Sequence, residues 1–228
     1  MLIACWSAKG GAGTTVVAAS LGLILSQSRS EGAVIADLAG DIPAVLGRAE
    51  PDGPGLTEWL AAGDDVPPDG LARIEEVVTP GLWLLPRGRA PLGSSDRAEV
   101  LAAILASDPR HVVVDCGRLD SSSGASTDGD PGREVVQVMA ASAGQSLLVT
   151  RSCYLALRRF LTLPVRPSGV VLLKEPGRSL TSYDVEDVVG SPVVAEVTVD
   201  PAVARAVDSG LLSQRVPRGL ARALVHAA

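Results

Sequence analysis

The residues whose types and spacing could do chemistry are Lys9, Gly10, Gly11, Ala12, Gly13, Thr14 and Thr15, a glycine-rich run directly behind the apolar stretch Leu2-Ile3-Ala4-Cys5-Trp6. Glycines let the backbone turn tightly and aim several N–H groups at one anion, and a helix starting at the end of the loop adds the positive end of its dipole. A hydroxyl at Thr15, on the head of that helix, can join the oxygen shell of a magnesium ion carried by a nucleotide. The chemistry implied is the cradling of a triphosphate. Two positions depart from the pattern G-x-x-x-x-G-K-[ST]: Ala8 replaces its first glycine, and Thr14 stands where it demands lysine. The cradle lacks its usual internal cation.

Two carboxylates close apolar, β-branched runs further on. Asp37 ends Ala33-Val34-Ile35-Ala36, and Asp115 ends His111-Val112-Val113-Val114. Open parallel sheets put ligand-facing residues at the carboxyl ends of their strands, so both acids are expected at one sheet edge. Asp115 is the expected holder of the magnesium shell, acting through water. Buried strands often end in Asp, and it is the position after the glycine loop that makes this one informative. Asp41 lies just before Pro43 and reads as a helix N-cap. The cysteines Cys5, Cys116 and Cys153 share no metal-ligand spacing, and with only His111 and His226 beside them a zinc site is not expected. All three read as buried apolar filler.

The elements that must position these groups follow from the patterning. Helical patterns over 14–26 and 96–106 alternate with strand-like runs, which predicts an α/β, three-layer architecture: a mostly parallel sheet flanked by helices. A chain of 228 residues suits a single domain over 1–228 that buries its core without disulfides. The stretch 119–132, rich in Ser, Gly and Asp, reads as a flexible loop. A strand beginning at Leu2 leaves no room for a signal peptide, and no apolar run reaches membrane-spanning length, so the cytosol is expected. A formal charge of −6 argues against a protein whose main task is neutralising DNA phosphates. Arg158, Arg159 and Arg166, and Arg205, Arg215, Arg218 and Arg222, form two candidate basic patches, for which solvated helix faces are the favoured explanation. The mildly amphipathic segment 218–226 carries only Ala, Leu and Val on its apolar side, and reads as a helix packed on the domain rather than a membrane anchor.

The string Lys9-Gly10-Gly11-Ala12-Gly13-Thr14-Thr15 resembles the deviant Walker A loop of the ParA/MinD family of P-loop ATPases. The resemblance spans nearly the whole chain. Ala33–Asp37 is similar to the family's second strand, Gly81–Gly88 to the strand before Walker B, and His111–Gly117 to Walker B itself. Ser146–Thr150, Gly169–Lys174 and Pro192–Asp200 with Ala206–Gly210 resemble the later strands and the last turn and helix. The resemblance implies ATP and Mg2+ as ligands, with Gly10 to Thr15 on the phosphates and Thr15 and Asp115 at the metal. It also implies an ATP-dependent homodimer in which Lys9 reaches the partner's phosphates, and a place for Asp37 near the attacking water. Several family positions differ here: the second lysine is Thr14, the water-orienting Asp is Ala39, the base-contacting Asn is Leu173 or Lys174, and a proline is Thr198.

In style the chain is most similar to the CpaE/TadZ-like localisation proteins. The function this implies is a nucleotide-dependent dimer that positions or assembles a partner complex, in a pilus or secretion machine or a partitioning system, with ATP hydrolysis weak or lost. Contact with membrane or cell pole is expected through that partner. The alternatives are a catalytically dead interaction scaffold and a DNA-partitioning ATPase, with DNA binding not favoured by the charge. A biosynthetic carboxylase or amide ligase would need a substrate-binding constellation that the sequence does not display.

Overall fold

Strands that are apolar on both faces need a layer of helices on each side, and the computed structural model, which describes residues 1–28, 31–63, 69–93, 96–120 and 132–227, provides both. The eight strands are β1 (Leu2–Ser7), β2 (Ala33–Asp37), β3 (Glu76–Thr79), β4 (Leu82–Leu85), β5 (His111–Arg118), β6 (Gln145–Arg151), β7 (Gly169–Lys174) and β8 (Val193–Thr198). They form one sheet in the order β3-β4-β2-β5-β1-β6-β7-β8, parallel throughout except for the antiparallel β3–β4 pair at one edge. The helices are α1 (Thr14–Ser28), α2 (Ile42–Val45), α3 (Leu56–Ala61), α4 (Ala98–Ser107), α5 (Gly132–Ser142), α6 (Tyr154–Phe160), α7 (Ser182–Val189), α8 (Pro201–Asp208) and α9 (Arg218–Leu224).

Alternate residues of each strand serve opposite layers. Ile3, Cys5, Ile35, Val113 and Val171 pack with α1, α2, α8 and α9, while Leu2, Ala4, Trp6, Val34 and Val114 pack with α3 to α7. The three-layer α/β arrangement expected from the sequence is the one found. Helix α1 lies unusually close to β2 because it carries Gly22 there; a Cβ at that position would meet Ile35 Cγ1 at 2.5 Å.

Strand β3 has no counterpart in the sequence reading, since four half-exposed or exposed residues at a sheet edge carry no buried run. Helix α9 packs on the sheet with Leu220 and Leu224 buried, as its small apolar face suggested. Among the described residues no helix is long and apolar enough to cross a membrane. The expected flexible loop at 119–132 falls, over 121–131, outside the described residues.

Candidate functional site

Strand β1 has β5 on one side and β6 on the other, so the chain leaves the sheet centre in opposite directions and opens a crevice at the carboxyl ends. The glycine loop occupies that crevice. Gly11 and Gly13 both take left-handed backbone conformations, with φ of 74° and 89°. At Gly13 a side chain would be strained and would meet Leu173 Cδ2 at 3.0 Å. The Gly13 carbonyl accepts the Val17 N–H at 3.0 Å, which starts α1 and leaves the loop N–H groups ahead of it free of the helix ladder. Gly10, Gly11 and Thr15 then form one wall of a cavity of about 520 Å3.

Register brings the two acids together: Asp37 on β2 stands beside Asp115 on β5, and Cys5 on β1 flanks Asp115 from the other side. Both carboxylates are fully buried. Asp37 accepts the N–H groups of Gly40 at 2.6 Å and Ile42 at 3.0 Å, which fixes the turn into α2. Asp115 Oδ1 accepts the Gly117 N–H at 3.0 Å, and the Thr15 hydroxyl bonds to the same carboxylate. Asp115 Oδ2 is buried without a hydrogen-bond partner.

Burial, and next the Asp37 charge, push the Asp115 carboxyl up to about 7 against the pull of Thr15 and Gly117. Burial likewise raises Asp37 to about 6, against the N–H bonds from Gly40 and Ile42. Two desolvated acids side by side, with one acceptor oxygen unfilled and a threonine hydroxyl beside it, form a hard-oxygen set that suits a small divalent cation and its waters. The residues present therefore fit magnesium.

Other expected positions fall differently. Asp41 does occupy the N-cap position of α2, yet its side chain caps nothing: its backbone is in the helical region (φ −103°, ψ −1°) rather than extended, and the residue two further on is Pro43, which has no N–H to give. Asp37 accepts the Ile42 N–H from outside the helix, and the exposed Asp41 carboxylate lines the cavity. The N-cap reading of Asp41 is corrected to that extent. Thr14 is buried in the first turn of α1 and Ala12 is buried in the loop. Lys9 is half-buried and not among the cavity-lining residues, and its charge is felt by the Cys153 thiol beyond β6. Cys5 and Cys116 are buried filler, and burial pushes both thiols up. Cys153 is only half-buried, and a hydrogen bond from the Ala156 N–H, more than the nearby cations, lowers it. Leu173 and Thr198 line a second, apolar cavity of about 230 Å3 that reaches Gly13 from the β7–β8 side.

Three further residues of the cavity wall were not anticipated: Arg87, Arg118 and Arg133. Arg87 follows β4 and donates to the Ala39 carbonyl at 3.1 Å; Arg118 ends β5 and pairs with Asp120 at 2.6 Å. Arg133 stands in the first turn of α5 with its Nε buried and unpartnered. The loop that carries Arg87 is organised by Glu58, which accepts N–H groups from Gly55, Arg89 and Ala90 at 2.8, 2.9 and 2.8 Å. Burial opposes the Glu58 charge, but these donors hold its carboxyl down at about 2. None of the three arginines carries a local signal in the sequence that marks it as part of the site.

No protein-family model matches the sequence, and no curated protein matches it. Solved structures do match the fold. A ParA family ATPase from Chlorobium tepidum TLS superposes with a TM-score of 0.75 at 22% identity, covering 98% of this chain and 96% of its own. The septum site-determining protein MinD of Pyrococcus horikoshii OT3, complexed with Mg-ADP, gives 0.71 at 17% identity over 99% and 93%. A McdA–ATP complex from Cyanothece gives 0.66 at 18% over 99% and 96%. Sheet order, glycine loop and superposition together show that the chain has the P-loop fold of the ParA/MinD ATPases.

Proposed function

We propose that the chain is a ParA/MinD-superfamily protein that binds Mg-ATP in the cavity beside Gly10 to Thr15 and uses it to dimerise while positioning or assembling a partner complex. One observation carries the reading. The unfilled, buried Asp115 Oδ2 lies beside Thr15 at the head of α1, in register with a second buried carboxylate, directly behind the glycine loop. Magnesium, when bound, would neutralise charge on the phosphates. Thr15 and Asp115 would hold the ion, the second through its waters, while loop N–H groups and the α1 dipole bind the phosphate oxygens. Asp37 orders the turn that carries Ala39 and Asp41 to the cavity. In this reading Lys9 acts across the interface of a homodimer, as the resemblance of its loop implies. Hydrolysis is weak in this reading, because Ala39 has no group to orient water and Thr14 brings no charge to the loop. A partner from a localisation or secretion machine, as for CpaE/TadZ-like proteins, is the favoured setting, with the whole chain one domain.

The test is calorimetric titration of the purified chain with ATP, with magnesium and with EDTA, alongside light scattering. The expected result is binding that Asp115→Ala weakens far more with magnesium than without it, because the carboxylate otherwise only repels the phosphates. A wild-type chain that binds no ATP under either condition would overturn the reading.

A further inference from the structure

A triphosphate seated on the glycine loop brings several negative charges into a cavity to whose lining the loop contributes no cation: Thr14 is buried and uncharged, and Lys9 is not among the lining residues. Backbone N–H groups hold phosphate oxygens but do not cancel that charge. The cations that do line the cavity come from three other elements, Arg87 after β4, Arg118 at the end of β5 and Arg133 at the start of α5. They share the wall with Asp41 and Asp120, so arginines outnumber carboxylates three to two there. Two of the arginines are already engaged within the fold, with the Ala39 carbonyl and the Asp120 carboxylate.

Arg133 differs from them. Its Nε is buried and unpartnered, a costly arrangement for a group that donates only, and it projects from the first turn of an eleven-residue helix whose Gly132 also lines the cavity. Gly10 and Gly11 line the same cavity as Arg133, which places the loop and this arginine on the walls of one space.

The geometry points to Arg133, assisted by Arg118 and Arg87, as the in-cis binding group for the terminal phosphate of a nucleoside triphosphate, taking up the charge that the loop lacks at Thr14. This rests on the nucleotide-binding reading above and adds a residue and a phosphate position to it. A planar guanidinium suits that task, since it binds two phosphate oxygens at once and stays charged at every working pH.

The experiment titrates the full chain with Mg-ATP and, separately, with Mg-ADP, for wild type, Arg133→Ala, Arg133→Lys and Arg118→Ala, each checked for an unchanged thermal melt. Loss of one charge-assisted contact corresponds to about 10- to 100-fold in affinity. Arg133→Ala is expected to lose that much for ATP and less than about threefold for ADP, with Arg133→Lys between. Arg118→Ala should show the same ATP-selective loss in smaller measure. If Arg133→Ala leaves ATP binding intact, or weakens ATP and ADP alike, the terminal-phosphate role is overturned while the nucleotide reading stands. If the folded wild type binds neither nucleotide, the nucleotide reading falls and takes this assignment with it. If Arg133→Ala melts early, the ATP-to-ADP ratio of Arg133→Lys decides: a ratio equal to wild type together with an unaffected Arg118→Ala overturns the assignment.

Discussion

Replacing Asp115 by Asn should make the nucleotide-free protein more stable and the nucleotide-bound protein less so, and the crossover can be worked from the site. In the folded chain the carboxyl is pushed up to about 7 from its ordinary 3.8, chiefly by burial and then by the Asp37 charge. The folded state therefore holds this proton to higher pH than the unfolded state does. Its contribution to stability is complete below about pH 4 and is lost as the pH climbs from there through about 7. A tenfold difference in proton affinity between folded and unfolded chain corresponds to about 1.4 kcal/mol, so the shift of about three decades makes charging Asp115 at pH 8 cost the fold on the order of 4 kcal/mol. Asparagine has the same shape and an amide oxygen for the Gly117 N–H, and its NH2 can still meet Thr15. It removes the charge without leaving a hole.

Urea denaturation in EDTA at pH 5.5 and pH 8.0 reads the effect directly. At pH 8.0 Asp115→Asn should exceed wild type by on the order of 4 kcal/mol at an unchanged m-value. At pH 5.5 the folded wild-type carboxyl is largely protonated and only the unfolded chain gains by ionising, so the gap should shrink to about half. Carboxylates held low elsewhere, such as Glu58, titrate below this window and do not mask it. Saturating Mg-ATP should then reverse the order, because only wild type has the anion that the ion's water shell requires. A variant less stable than wild type at pH 8.0 in EDTA, or a gap of equal size at both pH values, would refute the picture of two repelling, desolvated acids.

Lys9→Ala should leave monomeric Mg-ATP affinity within a few-fold and abolish the nucleotide-dependent dimer, as measured by light scattering; equal dimerisation of variant and wild type removes the trans-acting lysine. Phosphate release by wild type without a partner should be slow, and Asp41→Ala should abolish what remains, since Asp41 is the exposed carboxylate facing the cavity from the β2 side; an Asp41→Ala protein with undiminished turnover contradicts this. Glu58→Ala should destabilise the fold by about 1–3 kcal/mol through the orphaned N–H groups of Gly55, Arg89 and Ala90. The Glu58 contribution is present above about pH 4.5 and lost as the pH falls through about 2, so the wild-type advantage in denaturant midpoint should shrink in acid.

The parts of this site that sequence reading found are those whose chemistry is written locally. A strand, a glycine loop and a helix head lie within the first fifteen residues, and each acid closes its own apolar run, so period and punctuation alone place Thr15, Asp37 and Asp115 at one edge. The layered architecture was legible for a related reason: fully apolar strands alternating with helical patterns admit few arrangements. Asp41 shows where local reading stops. An acid before a proline at a helix start reads as an N-cap, yet Pro43 removes the N–H two residues on, and Asp41 takes helical rather than extended backbone, so its carboxylate is left facing the cavity. That backbone conformation is set by the turn that Asp37 holds through Gly40 and Ile42, which no single residue of the segment encodes.

The arginines lie further beyond local reading. Arg87, Arg118 and Arg133 are far apart in the chain, and each is individually the ordinary arginine of a loop, a strand end or a helix start. What makes them one group is that β4, β5 and the head of α5 converge on the same sheet edge, and that Glu58 on α3 holds the Arg87 loop against it. A missing lysine at Thr14, read from motif alone, predicts a cradle stripped of charge. Placed in the fold, the same substitution leaves three arginines in the cavity wall, so the absence of one motif residue does not by itself argue for a dead site. Whether a phosphate is held is decided by the summed charge around the cavity, and that sum is a property of the fold.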